Sequence, residues 1–413
     1  MHITPPRLNP WWTARAALLR FVADLVAGEL AALRHAPLVQ PGTWMETMSL
    51  EEELGLDSLE FLHIAGALSG ALQMQHSGIE DYLLARRTLG DWVDIAAAAL
   101  QHRDSELRFS TSGSTGQPKH CLHALDRLEQ EAATLAALFP GRRRLLVAVP
   151  SHHIYGFLFS QLLPRHLGLA PDQVCGIRAR LPSQLAQLAQ PGDLVVGYPQ
   201  FWQAAVQAAP GFAEDVMGVT STAPCPDPVA AASADAGLAA LIQVYGSSET
   251  GGLGWRTSHL DPYRLLPYLA RTGADSGESS LVQRSLPDGR TERLRAQDHL
   301  EWQDERSFVV GARHDGAVQV GGVNVFPARV RDVLLAHPDV ADAAVRLMRP
   351  DEGNRLKAFV VPHPASVADA AFLARLRAWI DARLAAPERP KALSTGAALP
   401  STAMGKAADW TIE

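Results

Sequence analysis

Apolar residues recur at intervals of three and four through the first hundred positions, over 14–34, 57–73 and 88–101, and that spacing predicts three amphipathic helices. From Arg108 the pattern changes. Short apolar runs at Leu145–Val149, Leu194–Val196 and Leu241–Val244 are each followed by a turn rich in Gly, Ser or Pro, as buried strands ending in loops would be. These runs alternate with helical stretches such as 123–138 and 182–190, so an α/β core is expected. The segment 271–297 is polar and lacks a period, which predicts loops and edge hairpins. After Asp315 a smaller α/β unit follows, with strands near Val318–Val320, Ala343–Arg346 and Ala358–Val361 and helices near 327–336 and 370–385. The expected organisation is an all-α part over 1–104, an α/β core over 105–315 and a small α+β domain over 316–413.

With 413 residues the chain can bury the cores of two or three domains. Its net charge of -7 argues against a general nucleic-acid surface, because phosphate backbones call for a basic face. The three cysteines, Cys121, Cys175 and Cys225, have neither metal-knuckle nor redox-dithiol spacing, which suits a reduced, cytoplasmic setting. The first residues lack the basic and apolar regions of a leader, and no window approaches the ~20 apolar residues of a membrane span.

Candidate chemistry concentrates first in Ser110-Thr111-Ser112-Gly113-Ser114-Thr115-Gly116-Gln117-Pro118-Lys119, which follows an apparent strand. Glycines let backbone amides approach an anion, hydroxyls donate hydrogen bonds and the lysine adds charge, so the loop suits phosphate. It is not a Walker loop, because Pro118 precedes Lys119 and His120 follows it. A flexible Ser/Gly linker has the same composition and stays open as an alternative on this segment alone.

The loop resembles that of the adenylate-forming superfamily, which includes acyl- and aryl-CoA synthetases, peptide-synthetase adenylation domains and luciferases. Four further segments resemble motifs of that family, in its order. Pro150-Ser151-His152-His153-Ile154-Tyr155-Gly156 is similar to PxxHxxG, and Tyr245-Gly246-Ser247-Ser248-Glu249-Thr250 to YGxTE. Arg313-His314-Asp315 with Gly321-Gly322-Val323-Asn324-Val325-Phe326-Pro327 resembles the hinge and GG.N..P segment of aryl-CoA ligases. Leu399-Pro400-Ser401-Thr402-Ala403-Met404-Gly405-Lys406 resembles LPxTxxGK.

The resemblance implies the adenylate-forming fold and an ATP-dependent reaction in two steps. A carboxylate repels a thiol and has oxide as leaving group; a mixed anhydride with AMP removes both obstacles. Lys406 would then bridge the acid and the α-phosphate, Glu249 would hold Mg2+, and Ser248 would face the α-phosphate beside Gly246 and Ser247. Tyr245 would lie near the adenine, with Asp298 and Arg313 on the ribose. His153 would close the acid pocket, with Tyr198, Phe201, Ser221, Thr222 and Ala223 as further walls, and Asp315 would be the hinge about which the C-terminal domain moves between the steps. An aromatic, hydroxybenzoate-like acid is expected from the aryl-ligase segment, with CoA or a separate acyl carrier protein as acceptor; short architecture adds a likeness to the AMP-ligases of aryl-polyene pigment pathways.

The chain departs from the family in its short N-terminal part. There Leu54-Gly55-Leu56-Asp57-Ser58-Leu59 resembles acyl carrier proteins, which would put 4′-phosphopantetheine on Ser58. Two plainer readings stand beside it: Asp57 or Ser58 caps a helix, and a carrier-like bundle completes the shortened core. Ala312 stands where the family has glycine, and Arg329 and Arg331 where it has glutamates. A non-catalytic nucleotide-binding scaffold and a luciferase-like oxygenase are the alternative functions.

Overall fold

The computed structural model describes residues 8–34, 44–112, 118–208, 211–272, 280–349, 351–364, 369–400 and 408–412. Two compact units emerge. Residues 1–111, 119–296 and 300–310 form the first; 112–118, 297–299 and 311–413 form the second.

In the first unit, α1 (Arg15–Arg34), α2 (Ser58–Ala71) and α3 (Leu89–His102) form where the three-and-four spacing predicts them. The Asp57 carboxylate accepts the Leu59 and Glu60 amides at 2.9 and 2.8 Å, and Glu60 reaches back to the Asp57 amide at 3.1 Å. This reciprocal cap accounts for the Asp-Ser pair on local grounds and leaves Ser58 exposed at the first turn of α2. The paired strands β1 (Glu106–Ser112) and β2 (Pro118–Ala124) flank the hydroxyl-rich loop, and α4 (Leu125–Ala136) follows.

The main sheet begins with five parallel strands, β3 (Arg144–Val147), β4 (Val174–Gly176), β5 (Asp193–Gly197), β6 (Met217–Thr220) and β7 (Ala240–Ser247). It continues antiparallel through β8 (Gly251–Arg256) and β9 (Tyr263–Leu265). Strands β10 (Leu269–Arg271), β11 (Leu281–Ser285) and β12 (Thr291–Arg295) form a separate antiparallel sheet inside the segment expected to hold loops and hairpins. With β13 (Asp298–Trp302) and β14 (Ser307–Arg313) the main sheet reads β13-β14-β9-β8-β7-β6-β5-β3-β4.

Successive side chains of a strand point to opposite faces, and here both faces are apolar. Leu145, Val147, Leu194, Val196, Ile242 and Val244 join residues of α1, α2 and α3 in one cluster. Leu146, Val195 and Leu241 point the other way, onto Phe201, Trp202 and Ala205 of α5 (Pro199–Ala208) and Val229 of α6 (Asp227–Asp235). The N-terminal helices thus share one core with this face of the sheet. The described residues before the expected 104/105 division fall in the same compact unit as the sheet and share its core.

The second unit holds the hairpin β15 (Val318–Val320) and β16 (Val323–Val325), then α7 (Pro327–Leu335), β17 (Val340–Leu347), β18 (Leu356–Pro362), α8 (Ala370–Arg383) and β19 (Ala392–Thr395). Strand β18 is central, antiparallel to β17 and parallel to β19. Val330, Leu334, Ala358, Val360, Phe372 and Leu376 fill its own core. No described helix is long and apolar enough to cross a membrane.

Candidate active site

In an open parallel sheet, ligands bind beyond the carboxyl ends of the strands, at the crevice where strand order reverses. That reversal falls at β3, which lies between β4 and β5. The expected residues of the first unit gather at these ends: 150–156 after β3, Tyr198 and Phe201 after β5, Ser221–Ala223 after β6, and Tyr245–Glu249 at the end of β7 and in the turn beyond it. Tyr155 links two of the ends by donating its hydroxyl to Gly197 O at 3.0 Å.

The histidine segment is held from α1. Asp24 accepts both the Ser151 amide and the Ser151 hydroxyl at 2.7 Å and pairs with Arg178 at 2.7 Å. One turn further on, Gly28 leaves room for the His152 ring, which would lie 2.6 Å from a Cβ at that position. The His152 and His153 rings are 4.3 Å apart. Burial, reinforced by His153 and Arg178, holds His152 well below the ordinary histidine value. Protein crowds His153 and, with Arg178, lowers it too, although its ring still meets solvent. A neutral imidazole there puts no fixed charge against an apolar ligand.

The candidate walls divide. Phe201 is buried in the core against Trp202, ring centroids 5.6 Å apart, and the missing side chain of Gly197 makes room for it. Tyr198 is exposed. The Ser221 hydroxyl is spent on Val244 O at 2.8 Å, tying β6 to β7, while the exposed Thr222 has φ of 77°, a costly conformation for a β-branched residue that is found at ligand-binding turns.

The β7–β8 turn presents Ser248 and Glu249. Glu249 accepts from Lys119 of β2 at 2.7 Å. Burial alone would push Glu249 up, but the hydrogen bond from Lys119 and the charge behind it prevail and hold it below the usual carboxylate range. Two further residues, which sequence reading passed over, clamp the same turn. His123 Nε2 lies 2.6 Å from Ser248 O, so this nitrogen carries the proton, and Glu131 of α4 accepts the Gly252 amide at 2.7 Å. Gly251 and Gly252 have no side chain where that carboxylate sits; a Cβ would meet its oxygens at 2.5 and 2.6 Å. Tyr245 packs on Tyr263 and Phe308, both at 5.6 Å.

In the second unit the Gln297 and His314 backbones pair at 3.0 Å, which sets Asp298 and Arg313 on adjacent strands. Arg313 grips Asp315 with two hydrogen bonds, 2.9 and 2.7 Å, and this cation holds the Asp315 carboxyl below its ordinary value. Gly316 beside it has φ of 69°. Thr111 and Ser112 end β1. Gly113, Ser114, Thr115, Gly116 and Lys406 lie outside the described residues.

Comparison with known proteins adds independent findings. The profile of the AMP-binding enzymes matches residues 91–274, and that of the AMP-binding enzyme C-terminal domain matches 330–406. A 4-coumarate–CoA ligase of Rhodobacter capsulatus is 40% identical over 95% of this chain and 99% of its own length. Another of that name from Halorhodospira halophila is 37% identical over 94% and 97%. Among solved structures, o-succinylbenzoate CoA synthetase of Bacillus subtilis superposes with a TM-score of 0.57 at 21% identity, covering 73% of this chain and 67% of that one. At such identity the likeness speaks to fold alone.

Proposed function

The chain belongs to the AMP-binding, adenylate-forming acid ligases, and on that premise we propose that it activates a para-hydroxylated aromatic acid of the 4-coumarate type as its acyl-adenylate and passes it to CoA. The observation that supports the substrate class is the pair of side chains beyond β3 and β5: His153, kept neutral by burial and Arg178, and the exposed aromatic ring of Tyr198. Flat rings gain most from such surroundings. The near full-length relatives called 4-coumarate–CoA ligases support the same reading over the shorter hydroxybenzoate.

In this reading the hydroxyl-rich loop cradles the phosphates of magnesium ATP. Glu249 supplies the hard carboxylate oxygen that magnesium prefers. Lys119, now paired with Glu249 across a partly exposed gap, would exchange that carboxylate for phosphate, a change made easy because exposed ion pairs contribute about 1 kcal/mol or less. Lys406 would balance the charge that builds on the α-phosphate. The Arg313–Asp315–Gly316 turn would be the hinge between the adenylating and thioester-forming arrangements. A carrier-protein acceptor, with phosphopantetheine on Ser58, is the second reading; the exposure of Ser58 at the start of α2 favours it.

Thioester formation should be measured with 4-coumarate, 4-hydroxybenzoate and octanoate, with CoA and without it. The expected result is free CoA thioester, with kcat/KM for 4-coumarate at least about tenfold above octanoate. Preference for octanoate, acyl groups found only on the protein, or acid-dependent oxygen consumption would each overturn the proposal.

A further inference from the structure

Lys357 lies on the central strand β18 with no exposed surface, on the face opposite the core residues Leu356, Ala358 and Val360. A lysine so desolvated persists only where each of its three donors finds an acceptor. Here the count closes. Its ammonium meets Glu352 at 2.9 Å, Asp409 at 2.9 Å and the Trp410 carbonyl at 2.7 Å. One of these acceptors precedes β18 on the neighbouring turn; the other two belong to the chain's last residues. The Trp410 ring covers the same ammonium at 5.2 Å and packs edge-on against Phe359 of β18 at 5.8 Å.

The tail is fastened at further points. Asp409 also faces Arg346 at 3.9 Å and Arg349 at 3.4 Å, so three cations from β17, β18 and the turn between them converge on one carboxylate. Ahead of it the Ala408 amide donates to Pro400 O at 2.9 Å. In sequence, Lys406 stands two residues before Ala408 and three before Asp409, whose carboxylate meets the buried Lys357 ammonium.

We propose that Lys357 is a positioning residue for adenylation: it fixes Asp409 and Trp410, the residues that follow Lys406 closely in sequence. The proposal rests on the reading of Lys406 as the residue that serves acyl-adenylate formation. Lys357 acts through Asp409 and Trp410, preventing the tail from sliding along the sheet, because its buried ammonium cannot follow. Misplacing a reacting group by about 1 Å costs on the order of a hundredfold in rate.

The test compares the two half-reactions in the full-length protein. Acid-dependent exchange of pyrophosphate into ATP reads adenylation, and thioester formation from synthetic acyl-adenylate and CoA reads the second step. Asp409→Ala, which leaves the Lys357–Glu352 pair in place, and Lys357→Met are measured beside Lys406→Ala. The expected result is exchange lowered about tenfold to a hundredfold in kcat for both anchor variants, KM for ATP within about twofold, and transfer from the adenylate near wild type. Asp409→Asn, which keeps the shape and the acceptor oxygen, should recover part of the exchange. Exchange near wild type in Asp409→Ala, or equal loss of both half-reactions in both anchor variants, overturns the anchor. Exchange retained in Lys406→Ala overturns the reading of Lys406, and the anchor falls with it.

Discussion

Replacing Lys406 by alanine should lower acyl-adenylate formation by about 10²–10³-fold, equivalent to roughly 3–4 kcal/mol of lost transition-state stabilisation. The reason is electrostatic. Attack by a carboxylate on the α-phosphate brings two anions together, and a preorganised cation between them counts most where charge gathers. Because the interaction belongs to the transition state, kcat should fall while KM for ATP changes little. Arginine at 406 should not restore the rate, since a planar fork cannot stand in for a compact ammonium at a point between two oxyanions. Steady-state AMP release with 4-coumarate measures the effect, and a variant within about threefold of wild type would contradict the role.

The second large effect concerns stability. Burial pushes the Glu131 carboxyl up from 4.5 to about 7, with Arg284 and the Gly252 amide opposing the shift. A carboxyl whose pKa is raised in the folded state holds its proton where the unfolded chain has already released it. Its contribution is therefore complete below about pH 4.5 and is lost as pH rises through about 7. The difference of about 2.5 units corresponds to about 3 kcal/mol. Between pH 5 and pH 8, wild type should lose about three quarters of this, whereas Glu131→Gln, which keeps an acceptor for the Gly252 amide and cannot ionise, should not. Urea unfolding of both proteins at the two pH values reads the difference. Parallel losses would show that Glu131 does not titrate in this range.

Much of the first layer of this account was legible in the residues. The apolar runs beginning at Leu145, Leu194 and Leu241 are the centres of β3, β5 and β7, because strands buried on both faces read as continuous hydrophobic stretches. The helices of the first hundred positions announce themselves by period, and the histidine, YGSSET and terminal-lysine segments follow in an order that points to one family. What stayed hidden depends on contacts between distant positions. Asp24 and Ser151 are 127 residues apart, His123 and Ser248 are 125, and Glu131 and Gly252 are 121. Nothing local marks those partners. Glu131 alone left a trace: it sits between Leu128, Ala132 and Leu135 on the buried side of α4, an acid on an apolar stripe.

The carrier-like reading shows the limit of a local motif. Leu54–Leu59 can be explained by a capping box, and whether its helix belongs to a separate bundle is decided by what lies across from it. Leu145 and Val147 of β3 share a cluster with Phe61 and Ile64 of α2, so the helix and the sheet bury their apolar faces in one core. Likewise Arg313 and Asp315 were expected in separate roles, yet two residues of spacing at the end of a strand let them pair. Tyr245 is part of an aromatic group with Tyr263 and Phe308, whose positions 18 and 63 residues away could not be read from its own motif.

The proposed chemistry makes the carboxylate reactive by cleaving ATP at its α-phosphate. Phosphorus NMR of the protein with magnesium ATP, 4-coumarate and CoA follows that bond directly. AMP and pyrophosphate should accumulate in equal amounts, each matching the thioester formed. ADP and inorganic phosphate in their place would mean that the acid is activated as an acyl phosphate, and the roles argued for Ser248, Glu249 and Lys406 would be wrong.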